Sequence, residues 1–169
     1  MFNPSLNCWN PPPKGFLKLK FDGASKGNPG KAGYGFILRN NRGKMLSYGY
    51  GFLGIESNNA TEIEGLIQGL EWVLENFSEP LIVEGDSQMV ISLASKLQNG
   101  SLSSKVSSSW HLEIRIETLL FGLIQGKAVS FTHVHRNGNK VADFLANMGV
   151  GVCQPFQAQA WNILSEMSA

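Results

Sequence analysis

The sequence predicts an α/β fold: a five-stranded mixed sheet, built from a three-strand antiparallel meander plus two further strands, flanked by helices. Three observations predict it. The first third of the chain alternates apolar and polar residues in segments separated by glycine- and asparagine-rich turns, the pattern of a meander. The remainder alternates short apolar runs with stretches of helical periodicity, which adds strands to the sheet and helices to its faces. With 169 residues, 43% hydrophobic and 16% charged, the chain suits one domain with a proper core.

The elements follow in order. Residues 1–15 contain Pro11-Pro12-Pro13 and are expected to be extended or loose, a flexible segment ahead of a folded unit over 16–149. Phe16 to Asp22 reads as the first strand: Leu17, Leu19 and Phe21 point one way and Lys18 and Lys20 the other, which predicts one apolar face. Asp22 is expected at the strand's end, open to solvent, because Gly23, Gly27, Pro29 and Gly30 follow and call for a tight turn. Gly33 to Leu38 and Met45 to Phe52 read as the next two strands, joined by Asn40-Asn41-Arg42-Gly43. Ser57-Asn58-Asn59 offers helix caps. Ile63, Leu66, Ile67, Leu70 and Leu74 then form an apolar stripe on a helix ending near Asn76. Leu81 to Glu84 reads as a buried strand. A helical pattern through Val90, Ile91, Ala94 and Leu97 follows Gly85-Asp86-Ser87. Asn99 to Ser109 is serine-rich and reads as a loop, Trp110 to Leu123 as a helix, Ala128 to His133 as the fifth strand and His135 to Asn139 as a polar loop. Lys140 to Met148 reads as a helix with Val141, Leu145 and Met148 on its apolar side. The tail, 150–169, is expected to hold a short helix near Trp161. No internal repeat is present.

Composition excludes some classes. No apolar run is long enough to span a membrane, so no membrane partner is expected. Met1 to Pro13 lacks a basic start followed by an apolar segment, the mark of a secretory signal. Cys8 and Cys153 are far apart and suggest neither a zinc site nor a disulfide framework. An intracellular, reducing compartment is therefore expected, with nucleus, cytoplasm and organelle not distinguished. The net charge of +1 hides an asymmetry. Up to Ile55 there are eight basic residues and one acid, Asp22; from Glu56 to Ser95 there are eight acids and no base. Two readings stand: a phosphate-attracting surface beside a cation-attracting site, or opposite faces that pair on folding.

The acids carry the chemistry. The chain has three aspartates and ten glutamates. Asp22, Asp86 and Asp143 each fall at the edge of an element, and Glu62 falls near the start of the first helix, where a negative charge is favoured and the carboxylate is expected to stay ionised. Each alone reads as a cap or a surface charge. Together, at strand ends that can converge on one crevice, they read as a site. Four clustered carboxylates repel, and divalent cations make such a cluster tolerable. Magnesium fits through its preference for hard oxygen ligands and its affinity for phosphate. Two such ions roughly 4 Å apart activate a water and hold the leaving oxygen of a phosphodiester.

Four segments resemble the motifs of type 1 ribonuclease H, in order: Asp22-Gly23-Ala24 with Gly27-Asn28-Pro29-Gly30; Ser57-Asn58-Asn59 with Glu62; Gly85-Asp86-Ser87-Gln88; and Asn139-Lys140-Val141-Ala142-Asp143-Phe144-Leu145-Ala146. The likeness runs from about Phe16 to Met148. Trp9-Asn10-Pro11-Pro12-Pro13-Lys14-Gly15 is similar to the entry segment of the plant branch, found in free-standing proteins and at the ends of non-LTR retroelement reverse transcriptases. The resemblance implies a ribonuclease H-like fold and a monomeric endonuclease that cuts the RNA strand of an RNA–DNA hybrid with two Mg2+ ions, Mn2+ substituting. Asp22, Glu62, Asp86 and Asp143 are then the catalytic metal ligands, with Glu64 the competitor for Glu62. Gly23, Ser25, Asn28, Asn58, Asn59 and Gln88 are then the nucleic-acid contacts, and amides suit 2′-hydroxyls.

Two departures from the family stand out. The loop before the last motif is shortened, so His135 or Arg136 takes the place of the usual mobile histidine, and His133 is expected to be a plain strand residue. The lysine-rich handle that grips the hybrid in bacterial relatives is absent, since Asn99 to Ser109 holds only Lys105. Two alternatives therefore remain: a binding module of the same fold that no longer cuts, and another nuclease of the superfamily.

Overall fold

The structure, a computed structural model, describes residues 9–100, 110–124 and 127–152. The expected helix near Trp161 and nearly all of the serine-rich loop lie outside these residues. The strands are β1 (Leu17–Gly27), β2 (Gly30–Arg39), β3 (Met45–Glu56), β4 (Leu81–Gly85) and β5 (Val129–His133). The helices are α1 (Asn58–Asn76), α2 (Gln88–Gln98), α3 (Trp110–Ile124) and α4 (Lys140–Gly151), with one 3-10 turn at Arg136–Gly138. The sheet order is β3-β2-β1-β4-β5. β1, β2 and β3 pair antiparallel, and β4 pairs parallel with both β1 and β5. This is the expected meander extended by two strands, the arrangement that the resemblance to type 1 ribonuclease H implies. Among the described residues no helix is long and apolar enough to cross a membrane.

The stripe on α1 forms as its spacing predicts. Ile63, Leu66, Ile67 and Leu70 are fully enclosed against Leu19, Phe21 and Phe36. Ser57 caps the helix, its Oγ accepting from the Ala60 amide. α2 and α3 close the same side through Val90, Ala94, Ile116 and Leu120.

Three expectations need correction. β1 does not end at Asp22 but runs five residues further, and the chain reverses at Asn28-Pro29, where Gly27 adopts a φ of +112° and pairs with Gly30. The glycines after Asp22 serve close packing as well as turning. Asp22, expected to be open to solvent, is buried, and so is the lysine face of β1 that it shares. Lys18 and Lys20 are buried, with Glu84 of the adjacent β4 between them at 2.6 and 3.2 Å. Strand alternation identifies two faces but cannot say that the second is exposed when another layer covers it. That layer is α4 together with the proline-rich segment. Trp9 lies against Gly43 and near Lys18 and Arg39, and the Asn10 carbonyl accepts from Lys18.

Finally, α4 packs through Ala142, Leu145, Ala146, Gly149 and Val150, leaving Val141 and Met148 exposed. The reason is distance. A Cβ on Gly33 or Gly35 would lie 2.4 Å from the α4 backbone. The helix therefore presses its small residues onto the glycines of β2, and the larger Val141 and Met148 cannot occupy that contact.

Candidate active site

β1 and β4 run parallel in register, with Lys20 opposite Glu84, so Asp22 and Asp86 emerge side by side. α1 brings the third acid. A Cβ on Gly23 would lie 2.3 Å from the Thr61 carbonyl carbon, and one on Gly65 would lie 2.4 Å from the Asp22 backbone carbonyl oxygen. Only glycine at both positions allows this approach, and it sets Glu62 against Asp22. Oxygen atoms of Asp22, Glu62 and Asp86 all lie within 4.8 Å of one another. Glu64 turns away to pair with Arg115 at 2.8 Å, so of the two glutamates only Glu62 faces the aspartates.

Asp143, in the first turn of α4, lines the same cleft, a cavity of about 460 Å3. Its carboxylate stands apart from the tight group of three, held by Asn147 Nδ2 at 3.3 Å and facing Arg136 at 3.8 Å. Gly23, Ser25, Asn58, Asn59 and Arg136 also line the cleft. Asn28, Gln88 and His135 are not among its walls. Asn28 accepts from the Asn58 amide through Oδ1 and so ties the β1–β2 turn to the start of α1. Gln88 Nε2 donates to Ser92 on the outer face of α2. His133 is the last residue of β5, as expected, but its Nε2 lies 3.1 Å from the Asp86 carbonyl oxygen.

Sequence reasoning missed Lys26 and Asn147, which line the cleft. Both could have been found from periodicity. Lys26 shares the β1 face of Asp22, four residues on, and Asn147 lies one helical turn after Asp143.

The acids are electrostatically crowded. Burial, then the charge of Asp86, raises the Asp22 carboxyl to about 7. Burial, then Asp22 and Asp86, raises Glu62 to about 9. Without a cation Glu62 therefore carries a proton and hydrogen-bonds to Asp22. The expectation that the helix start keeps Glu62 ionised is corrected. No acid falls in the first turn of α1, so Glu62 lies beyond the reach of the helix dipole, and burial dominates. Glu62 Oε2 and Asp86 Oδ1 are enclosed and have no hydrogen-bond partner. Orphaned carboxylate oxygens grouped in this way fit a divalent metal ion, which would supply both charge and coordination.

A profile of the family described as reverse transcriptase-like matches residues 20–149. Ribonuclease HI of Halobacterium salinarum is 34% identical over 133 residues, 79% of this chain and 63% of the relative. The chain belongs to the ribonuclease H-like family. The crystal structure of ribonuclease H1 from the same archaeon matches this ribonuclease H-like chain with a TM-score of 0.68 at 33% identity, covering 81% of this chain and 98% of that one. LC11-ribonuclease H1, solved in complex with an RNA/DNA hybrid, shares the fold with a TM-score of 0.68 at 24% identity, over 80% of this chain and 96% of that one. An Arabidopsis thaliana relative is 31% identical over 89% of this chain. The chain spans 63% of the Halobacterium relative's length and 23% of the Arabidopsis one's.

Proposed function

We propose that the chain is an endonuclease that hydrolyses the RNA strand of RNA–DNA hybrids. The observation that carries this reading is the group Asp22, Glu62 and Asp86, with buried carboxylate oxygens that have no partner, at the floor of an open cleft. Asp22, Glu62, Asp86 and Asp143 would hold two Mg2+ ions. Such ions supply Lewis acidity, a water activated near neutral pH and a clamp on the leaving oxygen of a phosphodiester.

The protein's own groups prepare the site. The Gly23 amide donates to Asp22 Oδ1 at 2.9 Å and fixes that carboxylate's orientation. Buried Asn139 donates from Nδ2 to the Phe21 carbonyl at 2.8 Å, and Lys20 donates to the Gly138 carbonyl. Both bonds anchor the turn that carries Arg136 to β1, immediately before Asp22. Of the two candidates in that loop, Arg136 is the assisting residue in this reading, because it lines the cleft beside Asp143 whereas His135 does not. Its guanidinium stays charged and can accompany negative charge in the transition state. Asn58 and Asn59 at the cleft wall can donate to and accept from 2′-hydroxyls.

The folded unit is taken to be 16–149, with the proline-rich segment as its entry, as in the plant branch, whether free-standing or part of a retroelement protein. The test is cleavage of a labelled hybrid with Mg2+, beside duplex DNA, duplex RNA and single strands. Cutting of the RNA strand of the hybrid, far faster than any other substrate and abolished by excess chelator, is the expected result. Undiminished cutting in chelator, or equal rates on all substrates, overturns it.

A further inference from the structure

Lys26 and Asn147 line the cleft, yet the reading above gives them no part. They form a bridge. Lys26 Nζ donates to Asn147 Oδ1 at 3.2 Å. Asn147 Nδ2 donates to the Asp143 carboxylate at 3.3 Å and to the Asp143 carbonyl at 2.9 Å. The chemistry fixes which way the amide faces. An ammonium only donates and a carboxylate only accepts, so the carboxamide must turn its oxygen to Lys26 and its nitrogen to Asp143. A carboxamide can serve both neighbours at once from so short a stem. The two elements meet because α4 lies directly on the glycines of β2, beside β1.

Charge gives the bridge its meaning. A phosphodiester entering a cleft with four carboxylates is repelled. Among the described residues that line the cleft, Lys26 and Arg136 are the cations. Arg136 faces the Asp143 carboxylate at 3.8 Å, so its charge is partly answered within the protein. Lys26 is held by a neutral amide, which restrics a mobile side chain without cancelling its charge. A tethered but uncompensated ammonium suits a phosphate, because part of the cost of ordering it is already met before binding.

We propose that Lys26 seats a backbone phosphate of the substrate at the rim of the acidic cleft, and that Asn147 is the positioning residue that ties this lysine to Asp143. The inference rests on the nuclease reading above and extends it. Binding of phosphate at Lys26 and the placement of Asp143 are then coupled through one side chain.

The test uses a fluorescent RNA–DNA hybrid, with affinity measured in chelator across a salt series and kinetics measured in Mg2+. Lys26 is exposed, so K26M should fold normally. It is expected to weaken hybrid affinity in chelator about tenfold and to lower the salt slope by about one. KM should rise more than kcat falls, and K26R should recover most of the affinity. N147L should raise KM and also lower kcat, because Asp143 loses its support. In the N147L background K26M should add little. A wild type that binds and cuts the hybrid, with K26M equal to it in affinity and salt slope, overturns this inference alone. A wild type that neither binds nor cuts overturns the nuclease reading together with it.

Discussion

Asp22 and Glu62 bind protons more tightly in the folded chain than in the unfolded one, since burial and mutual repulsion raise both. A raised carboxyl pKa gives stability that is fully present below the ordinary carboxylate range and is lost as pH rises through the folded value. In chelator, melting temperature should therefore fall steadily as pH rises above the ordinary carboxylate range, less steeply above about 7 where Asp22 is ionised in both states, and level off only above about 9. A scan between about pH 5.5 and 8.5 tests this, and a flat or rising profile would show the acids to be less crowded than their geometry requires. Divalent cation should stabilise more at the alkaline end, where protons no longer compete for the same oxygens. Asp86→Asn follows the same physics. It removes one charge from the cluster while keeping size and shape. Under the proposed reading, cleavage of hybrid should drop by about 10² to 10³ or more. Melting temperature in chelator should hold or rise, because a like charge has left Asp22 and Glu62. An Asp86→Asn protein that cuts at the wild-type rate would remove Asp86 from the site. Asp86 and Asp143 were legible in the sequence because each stands beside an element boundary, and Asp22 because glycines follow it, although β1 runs on past it. The protonation of Asp22 and Glu62 was not, because burial is a tertiary quantity. Lys26 and Asn147 were overlooked because neither belongs to a motif, although strand and helix periodicity places each beside an aspartate.

α1 and α4 approach the sheet at glycines, and that closeness assembles the cleft. Gly23→Ala would set a methyl group 2.3 Å from the Thr61 backbone, with no flexible side chain there to yield. α1 must then move away from β1 and carry Glu62 from Asp22. Overpacking of this kind costs about 1–3 kcal/mol or more, and activity should fall further than stability. Denaturant melts and hybrid cleavage measure the two separately, and a Gly23→Ala protein with wild-type activity would show that Glu62 tolerates displacement. Ser57→Ala is the contrasting change. It deletes the N-terminal cap of α1, one turn before Thr61, and should cost about 1 kcal/mol while leaving the approach of Glu62 to Asp22 in place. Element order, helix stripes and turn chemistry were legible because each depends on local periodicity. The covered side of α4 was not. Hydrophobicity favours Val141 and Met148, whereas the glycines of β2 select Ala142, Ala146 and Gly149 by space alone. The length of β1 was misread for a related reason, since glycines near Asp22 resemble a turn when their use is helix packing.

Across the whole molecule, the charge asymmetry resolves into two parts that act differently on a polyanion. Lys18 and Lys20 are buried and paired with Glu84, so two of the eight early basic residues cannot meet phosphate. Arg39 lies over the Trp9 ring on the sheet face covered by the proline-rich segment. Lys26 and Arg136 remain at the cleft, facing the same opening as four acids. Few phosphates can be neutralised by such a surface, so hybrid binding should depend weakly on salt. With about two to four phosphate contacts, the slope of log affinity against log salt should lie near −2 to −4. Anisotropy titrations of labelled hybrid in chelator, repeated over a salt series, give that slope directly. Duplex DNA of the same length should show a similar slope with lower affinity, because phosphate contacts are shared while the proposed 2′-hydroxyl contacts at Asn58 and Asn59, which line the cleft, are not. A slope near −8 would require a broad basic surface that the cleft and its rim do not supply. Equal affinity for the two duplexes would mean that the cleft senses charge alone, and selection of hybrid would then have to arise at the cleavage step.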